Sequence, residues 1–100
     1  MRFENGKIIA TLNDISDIFR VSKQAIQKWR LQGMGQRCQL EYGKYDLLCV
    51  YDWYDMYKMH DGQKMERITE NIDTIIEYRE IADVDVEVDL YQILDYMELC

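Results

Sequence analysis

Two short amphipathic helices joined by a tight turn are predicted between Leu12 and Leu31, and this pair constrains the fold more than any other part of the chain. Thr11 has the position of an N-cap for the first helix, with Asp14 three residues later as in a capping box. Ser22 has the same position before the second helix. Two capped helices separated by a turn of only a few residues indicate a helix-turn-helix.

The second helix, from Lys23 to about Gln32, is expected to have one buried and one polar face. Ile26 and Trp29 are predicted to point inward, which leaves the polar side chains of the first turns exposed. Glutamine can pair with adenine through two hydrogen bonds, and lysine can bond guanine or phosphate. The pattern therefore favours DNA binding, with contacts in the major groove predicted for Lys23, Gln24, Gln27 and Lys28.

Contacts with the DNA backbone are predicted on either side of these positions. The hydroxyl of Ser22 and the free amides at the helix N-terminus can bind a phosphate oxygen. Arg20 and Arg30 flank the second helix, where their guanidinium groups suit phosphate contacts. These three residues complete the set of contacts expected from the helix pair itself.

A short hairpin is predicted after the second helix, which Gly33 and Gly35 are expected to end. Two strands are expected at about 37–40 and 44–45, with Gly43 close to the turn between them. A hairpin in this position is the wing of a winged helix, whose tip lies along the DNA. Its basic residues, Arg37 and Lys44, are therefore further candidate contacts.

The distribution of charge favours nucleic acid for the first half of the chain only. The net charge is −7, but residues 1–60 carry nine basic and seven acidic side chains, whereas residues 61–100 carry three and twelve. Residues 20–44 include six basic side chains and only one acidic side chain. A basic segment followed by an acidic one suggests two different roles on one chain.

A narrow apolar stripe is predicted on a long helix in the second half, from about Lys64 to Glu80. Its three- and four-residue spacing between flanking charges is typical of a seam between helices. Because one helix cannot bury such a stripe alone, it needs a partner. The segment from Leu90 could supply one within the chain, but we expect self-association through Met65, Ile68, Ile72, Ile75 and Ile76.

These observations predict a mainly α protein with a short β-hairpin wing. Residues 1–60 are expected to form a winged helix-turn-helix DNA-binding domain, and residues 61–100 an acidic α-helical segment for oligomerisation or partner binding. Double-stranded DNA and further copies of the chain are the partners expected from this organisation. The oligomer is expected to be a dimer or a ring.

Enzymatic, metal-binding and membrane functions are not expected from the sequence. The glycine-lysine at Gly43 lacks the remaining residues of a phosphate-binding loop, so neither catalysis nor a cofactor is predicted. The three cysteines and single histidine lack the paired spacing of a zinc site. A secretion signal is not expected, and the sequence contains no apolar run of membrane-spanning length. Free thiols in a reducing cytoplasm are the plain expectation.

Part of the chain resembles the N-terminal domain of the small terminase subunit of lambda-like tailed phages, over about residues 8–60. That family has a helix-turn-helix ending in tryptophan, a Gly-Met step, a basic wing and a following helix with a Trp-Tyr pair. The chain departs from it with Gly35 in place of proline and Arg20 in place of glycine. The residues that carry the resemblance are Leu12 to Trp29, Gly33-Met34, Tyr45-Asp46-Leu47 and Val50 to Tyr54.

The resemblance implies a role in packaging a viral genome in the host-cell cytoplasm. A small terminase subunit recognises the packaging site on the DNA, forms an oligomer and delivers the DNA to the large terminase subunit. A small excisionase-like or MerR-like transcription regulator is an alternative, since the same short motif occurs in those proteins. An adaptor that binds other proteins and not DNA is an alternative from a different class.

Overall fold

The computed structural model describes residues 1–58, 62–81 and 87–99. These residues are mostly helical and include a small antiparallel sheet of four strands. The elements are β1 (Arg2–Glu4), β2 (Lys7–Ala10), α1 (Leu12–Phe19), α2 (Lys23–Trp29), a π-helical turn (Arg30–Met34), α3 (Gly35–Cys38), β3 (Gln39–Glu41), β4 (Lys44–Asp46), α4 (Leu47–Tyr57), α5 (Gly62–Ile81) and α6 (Leu90–Leu99).

Side-chain caps fix where the first helices begin, at the residues predicted from the sequence. The Thr11 hydroxyl accepts a hydrogen bond from the Asp14 amide, and the Asp14 carboxylate accepts one from the Thr11 amide. The Ser22 hydroxyl accepts from the Ala25 amide at 3.1 Å. Asp46 caps α4 in the same way. Each cap gives a partner to an amide that the helix itself leaves unpaired.

The turn between α1 and α2 is closed by an arginine in a left-handed backbone conformation. Arg20 has φ 55° and ψ 48°, a region that favours glycine and costs other residues about 1–2 kcal/mol. The Ser16 hydroxyl donates to the Val21 carbonyl at 2.6 Å, and the Val21 amide donates to the Ser16 carbonyl at 3.2 Å. These paired hydrogen bonds hold the two helices at a fixed angle.

The sheet joins two hairpins that are far apart in the sequence. β1 and β2 meet at Asn5 and Gly6, which both have the positive φ that tight two-residue hairpin turns require. The strand order is β1-β2-β4-β3, with β2 antiparallel to β4. Since β2 leads into α1 and β4 leads into α4, the antiparallel pairing makes those two helices leave this ladder from opposite ends, and α4 packs against β2.

Aromatic side chains form the centre of the core beneath the helix pair. The ring centroid of Phe19 lies 5.9 Å from that of Trp29 and 5.2 Å from that of Tyr54. Trp29 in turn lies 5.2 Å from Tyr54 and 6.0 Å from Trp53. Tilted and edge-on contacts at these distances are favourable beyond the area that they bury. Helix α4 therefore packs against the buried side of α2.

The isoleucine stripe of α5 packs against the chain's own core, so the prediction of an exposed seam was wrong. Three of its members are at most 3% exposed, and the other two are half-buried against the same core. Helices α1 and α6 supply the partners that the stripe requires. The periodicity showed correctly that α5 needs a partner, and the alternative of a partner within the chain, the segment from Leu90, is the one that the structure has, together with α1. The residues concerned are Met65, Ile68, Ile72, Ile75 and Ile76.

Polar contacts also attach α5 to the first half of the chain. The Asn71 side-chain amide donates to the Ile18 carbonyl at 3.4 Å, and the Tyr51 and Thr69 hydroxyls lie 2.6 Å apart. A single cluster of buried side chains includes residues from both predicted segments. The predicted boundary near residue 60 therefore separates a basic from an acidic part of the chain, but it does not separate two cores.

Candidate nucleic-acid interface

Helix α2 presents the polar face that the sequence predicts. Ile26 and Trp29 are buried on its inner side. The outer side chains are exposed, except for Gln27, which is half-buried. The inner contacts with Phe19 and Tyr54 fix the rotation of α2 about its axis, so the polar face cannot turn inward. The exposed members are Ser22, Lys23, Gln24 and Lys28.

Within the part of the chain that the structure describes, the basic side chains around α2 form no ion pair with a carboxylate. Arg20, Lys23 and Lys28 are exposed, and Arg30 is half-buried. Among residues 1–58, 62–81 and 87–99, no ion pair within 4.0 Å includes any of these four side chains. Cations that are not paired within the protein are available to an anion from outside, such as a DNA phosphate.

Ser22 retains the ability to donate a hydrogen bond to a phosphate. Its hydroxyl oxygen accepts from the Ala25 amide, which uses the acceptor of the group but not its hydrogen. The hydroxyl lies at the N-terminus of α2, where the helix dipole favours an anion. The predicted role of Ser22 therefore remains compatible with its place as the cap.

The helix continues past Trp29 and exposes an apolar side chain that our sequence prediction left out. The backbone remains helical through Gln32, and Gly33 is the non-helical residue within the π-helical turn. Leu31 follows Gln24 by seven residues and is 83% exposed. The spacing of 24, 27 and 31 along one helix face was the signal that would have identified it.

Two glycines shape the exit from α2, in different ways. Gly33 has φ 121° and interrupts the helical backbone as predicted, but it does so within the π-helical turn, since α2 itself ends at Trp29. The prediction that Gly35 ends a helix is wrong, because Gly35 has helical φ and ψ and begins α3. Its amide donates to the Arg30 carbonyl, and a Cβ at Gly35 would lie 3.0 Å from that oxygen. Glycine is required there because the wide turn brings the two backbones close together.

The hairpin predicted as a wing exists, but it begins later than expected. Strand β3 begins at Gln39, so Arg37 belongs to α3 and not to the hairpin, contrary to the prediction. Its guanidinium group lies 5.8 Å from the ring centroid of Tyr57 on α4, and both side chains are exposed. Lys44 is on the hairpin as predicted, but its ammonium group pairs with Glu41 at 3.2 Å. Lys44 is thus less available to an anion than the cations around α2.

The cysteines behind this hairpin are structural. Cys38 is buried, and the Cys49 thiol donates a hydrogen bond to the Arg37 carbonyl at 3.4 Å. Burial, followed by the adjacent Cys49 thiol, raises the pKa of Cys38 well above its ordinary value. The thiol therefore remains protonated at neutral pH.

Other kinds of site are less developed. A cleft of about 510 Å³ lies between the β1–β2 turn and α4, lined by residues that include Lys7, Asp52 and Trp53. Within the part of the chain that the structure describes, no group of three potential metal-ligating side chains comes together. No helix in those same ranges has both the length and the hydropathy needed to cross a membrane.

In comparisons with known proteins, the chain matches no protein-family model, no curated protein sequence and no solved structure. The resemblance to terminase small subunits therefore depends on the residues of this chain alone. The function has to be argued from the same residues and from the geometry around α2.

Proposed function

We propose that this chain is a DNA-binding protein of the winged helix-turn-helix type, with α2 as the recognition helix in the major groove of duplex DNA. The observation that carries the proposal is the outer face of α2, where Gln24 is exposed beside Lys23 and Lys28, which form no ion pair within the described residues, above an aromatic core. Glutamine reads adenine and the cations bind phosphate or guanine, so one face combines specificity with affinity.

The strained turn before α2 supports this proposal. Arg20 occupies a left-handed conformation in which glycine would be less strained. A residue whose strained backbone conformation lowers the stability of the protein often has a functional role. The exposed guanidinium group beside the N-terminus of α2 is well placed to bind a phosphate, which gives a physical reason for arginine there.

The exposed side of α5 is acidic, whereas the outer face of α2 is basic, and this separation of charge suits DNA binding. Acidic side chains recur at three- and four-residue spacing along the exposed side of α5, away from its buried isoleucines. Phosphates are repelled by such a surface and attracted to the basic face of α2. Polarity of this kind orients the protein before contact. The acidic residues are Glu66, Glu70, Asp73, Glu77 and Glu80.

Within this class, we propose a small terminase subunit that recognises packaging-site DNA and delivers it to a large terminase subunit. The residues that carry the resemblance pack together: Trp29 contacts both Trp53 and Tyr54. A Cβ placed on Gly33 would lie 3.6 Å from the Trp53 indole nitrogen, so the Gly-Met step belongs to the same cluster. Assembly into an oligomer is part of this proposal, through a surface other than the buried stripe.

We expect the full chain to bind a short random-sequence duplex with an affinity that falls steeply between about 50 and 200 mM salt. Replacing both Lys23 and Lys28 with glutamine removes two cations, so binding at the lower salt should weaken about tenfold and the salt slope should decrease by about 2. Fluorescence anisotropy of a labelled duplex measures both quantities.

The matched control is Lys7→Gln, which removes an exposed cation from β2, outside the proposed face. Its affinity should stay within about twofold of the unmodified protein, since a cation that contacts no phosphate does not change the salt slope. Absence of salt-dependent binding by the unmodified chain would contradict the proposal. So would equal losses in the control and in the double variant.

A further inference from the structure

Leu31 is a large aliphatic side chain on an otherwise polar helix face, and it is 83% exposed. It follows Gln24 by seven residues and Gln27 by four. In a helix with 3.6 residues per turn, Leu31 therefore lies about 20° around the axis from Gln24 and about 140° from the buried Ile26. Leu31 lies in the π-helical turn that continues α2, on the same side as the outer face of α2 and not in the core.

The position of Leu31 along the axis also matches a recognition helix. Leu31 lies about 10 Å beyond Gln24, which is less than the width of the major groove, about 12 Å. Both residues can therefore reach base edges in the same groove. By helical spacing, the neighbours expected for Leu31 on this face are the polar residues three and four positions earlier, Lys28 and Gln27.

The chemistry of the major groove offers one apolar group to such a side chain. Among the four bases, only thymine presents a methyl group there, next to its carbonyl acceptor. An adenine read by glutamine and a thymine read by an aliphatic side chain can lie close together on one face of the duplex. The other groups that distinguish the bases in the major groove are hydrogen-bond donors and acceptors, which offer a leucine no apolar surface to bury.

We propose that Leu31 contacts the methyl group of a thymine, and that it thereby determines specificity at one position of the DNA site. This inference rests on the proposed DNA binding by α2 and names a recognition contact beyond it. The leucine contributes to affinity only where the thymine methyl is present. It is therefore a specificity contact and not a general source of affinity.

The test pairs a protein variant with the removal of one methyl group from the DNA. A binding site is first selected from a random duplex pool with the full chain, and each thymine in it is then replaced singly by uracil, which lacks only that methyl. For the unmodified protein, we expect one replacement to weaken binding about fourfold. Leu31→Ala should bind the thymine site about as weakly as the unmodified protein binds that uracil site, and should not distinguish thymine from uracil there.

A matched control separates this contact from a general effect of apolar surface. Ile81 at the end of α5 is also exposed and aliphatic, so Ile81→Ala should retain the full loss on uracil replacement. The proposal is overturned if Leu31→Ala remains sensitive to uracil, or if no single methyl affects the unmodified protein. Either result leaves DNA binding intact. Failure to select any duplex would instead overturn the proposed function, and this contact with it.

A protein partner for Leu31 predicts a different pattern. If Leu31 served contacts between copies of the chain, Leu31→Ala would lower the mass measured by light scattering in the absence of DNA. Its affinity would then fall equally on thymine and uracil duplexes. That combination also overturns the methyl contact. An unchanged mass together with the loss of thymine discrimination supports it.

Discussion

The variant in which Ile72 and Ile75 are both replaced by aspartate is expected to be unfolded. Both side chains are at most 3% exposed and contribute to the core shared by the two halves of the chain. Removing one buried isoleucine side chain costs about 2–5 kcal/mol, and placing a carboxylate in the vacated apolar space adds to that cost. The sum of the two replacements is comparable to the whole stability of a small domain, about 5–15 kcal/mol.

The control is Ile81→Asp, which makes the same replacement on the same helix at a side chain that is 59% exposed. Circular dichroism should show the loss of helix and of a cooperative melting transition in the double variant, with both retained in the control. Light scattering on the same samples tests the sequence-based prediction that copies of the chain associate through the apolar stripe of α5. Folded monomers of the double variant would show that the stripe holds copies together, and would contradict the packing described here.

The glutamines of α2 are expected to carry most of the base discrimination. Each bidentate contact with adenine contributes about 1–3 kcal/mol of discrimination, so Gln24→Ala should reduce the preference for a selected site over random duplex by about tenfold. Gln27→Ala should act in the same direction. Its effect should be smaller, because Gln27 is half-buried and less of its amide is available. Competition binding with selected and random duplexes measures this preference.

Gln92 provides a matched glutamine elsewhere in the chain. It is exposed on α6, outside the proposed face, so Gln92→Ala should leave the preference unchanged. If Gln24→Ala weakened binding to selected and random duplexes equally, Gln24 would be a backbone contact and not a base contact. The role of α2 in reading sequence would then be wrong, although DNA binding itself could stand.

The elements that local chemistry determines were predictable from the sequence. The caps at Thr11, Ser22 and Asp46 and the turn at Asn5 and Gly6 are set by residues within a few positions of one another. The same holds for the rotation of α2, because the inward positions of its isoleucine and tryptophan follow from helical spacing. For this reason the exposed polar face of α2 lies where the sequence predicts it, whereas its role as an interface stays a prediction.

The errors concern contacts between distant segments. The pairing of β2 with β4 and the packing of α5 on α1 depend on tertiary structure, which periodicity along one helix does not specify. The stripe on α5 showed that a partner was needed, but it looks the same whether that partner is in the same chain or in another. Arg37 was misplaced because Gly35, taken as a helix end, begins another helical turn.

The central claim is that duplex DNA binds to the outer face of α2, and the most direct measurement is the change in backbone amide NMR signals when a selected duplex is added to the full chain. We expect the largest shifts from Ser22 through Gln32, with further changes in the β3–β4 hairpin. The amides along the acidic side of α5, from Glu66 to Glu80, should shift little. Shifts concentrated on α5 or α6, or an unchanged spectrum at saturating DNA, would contradict the account.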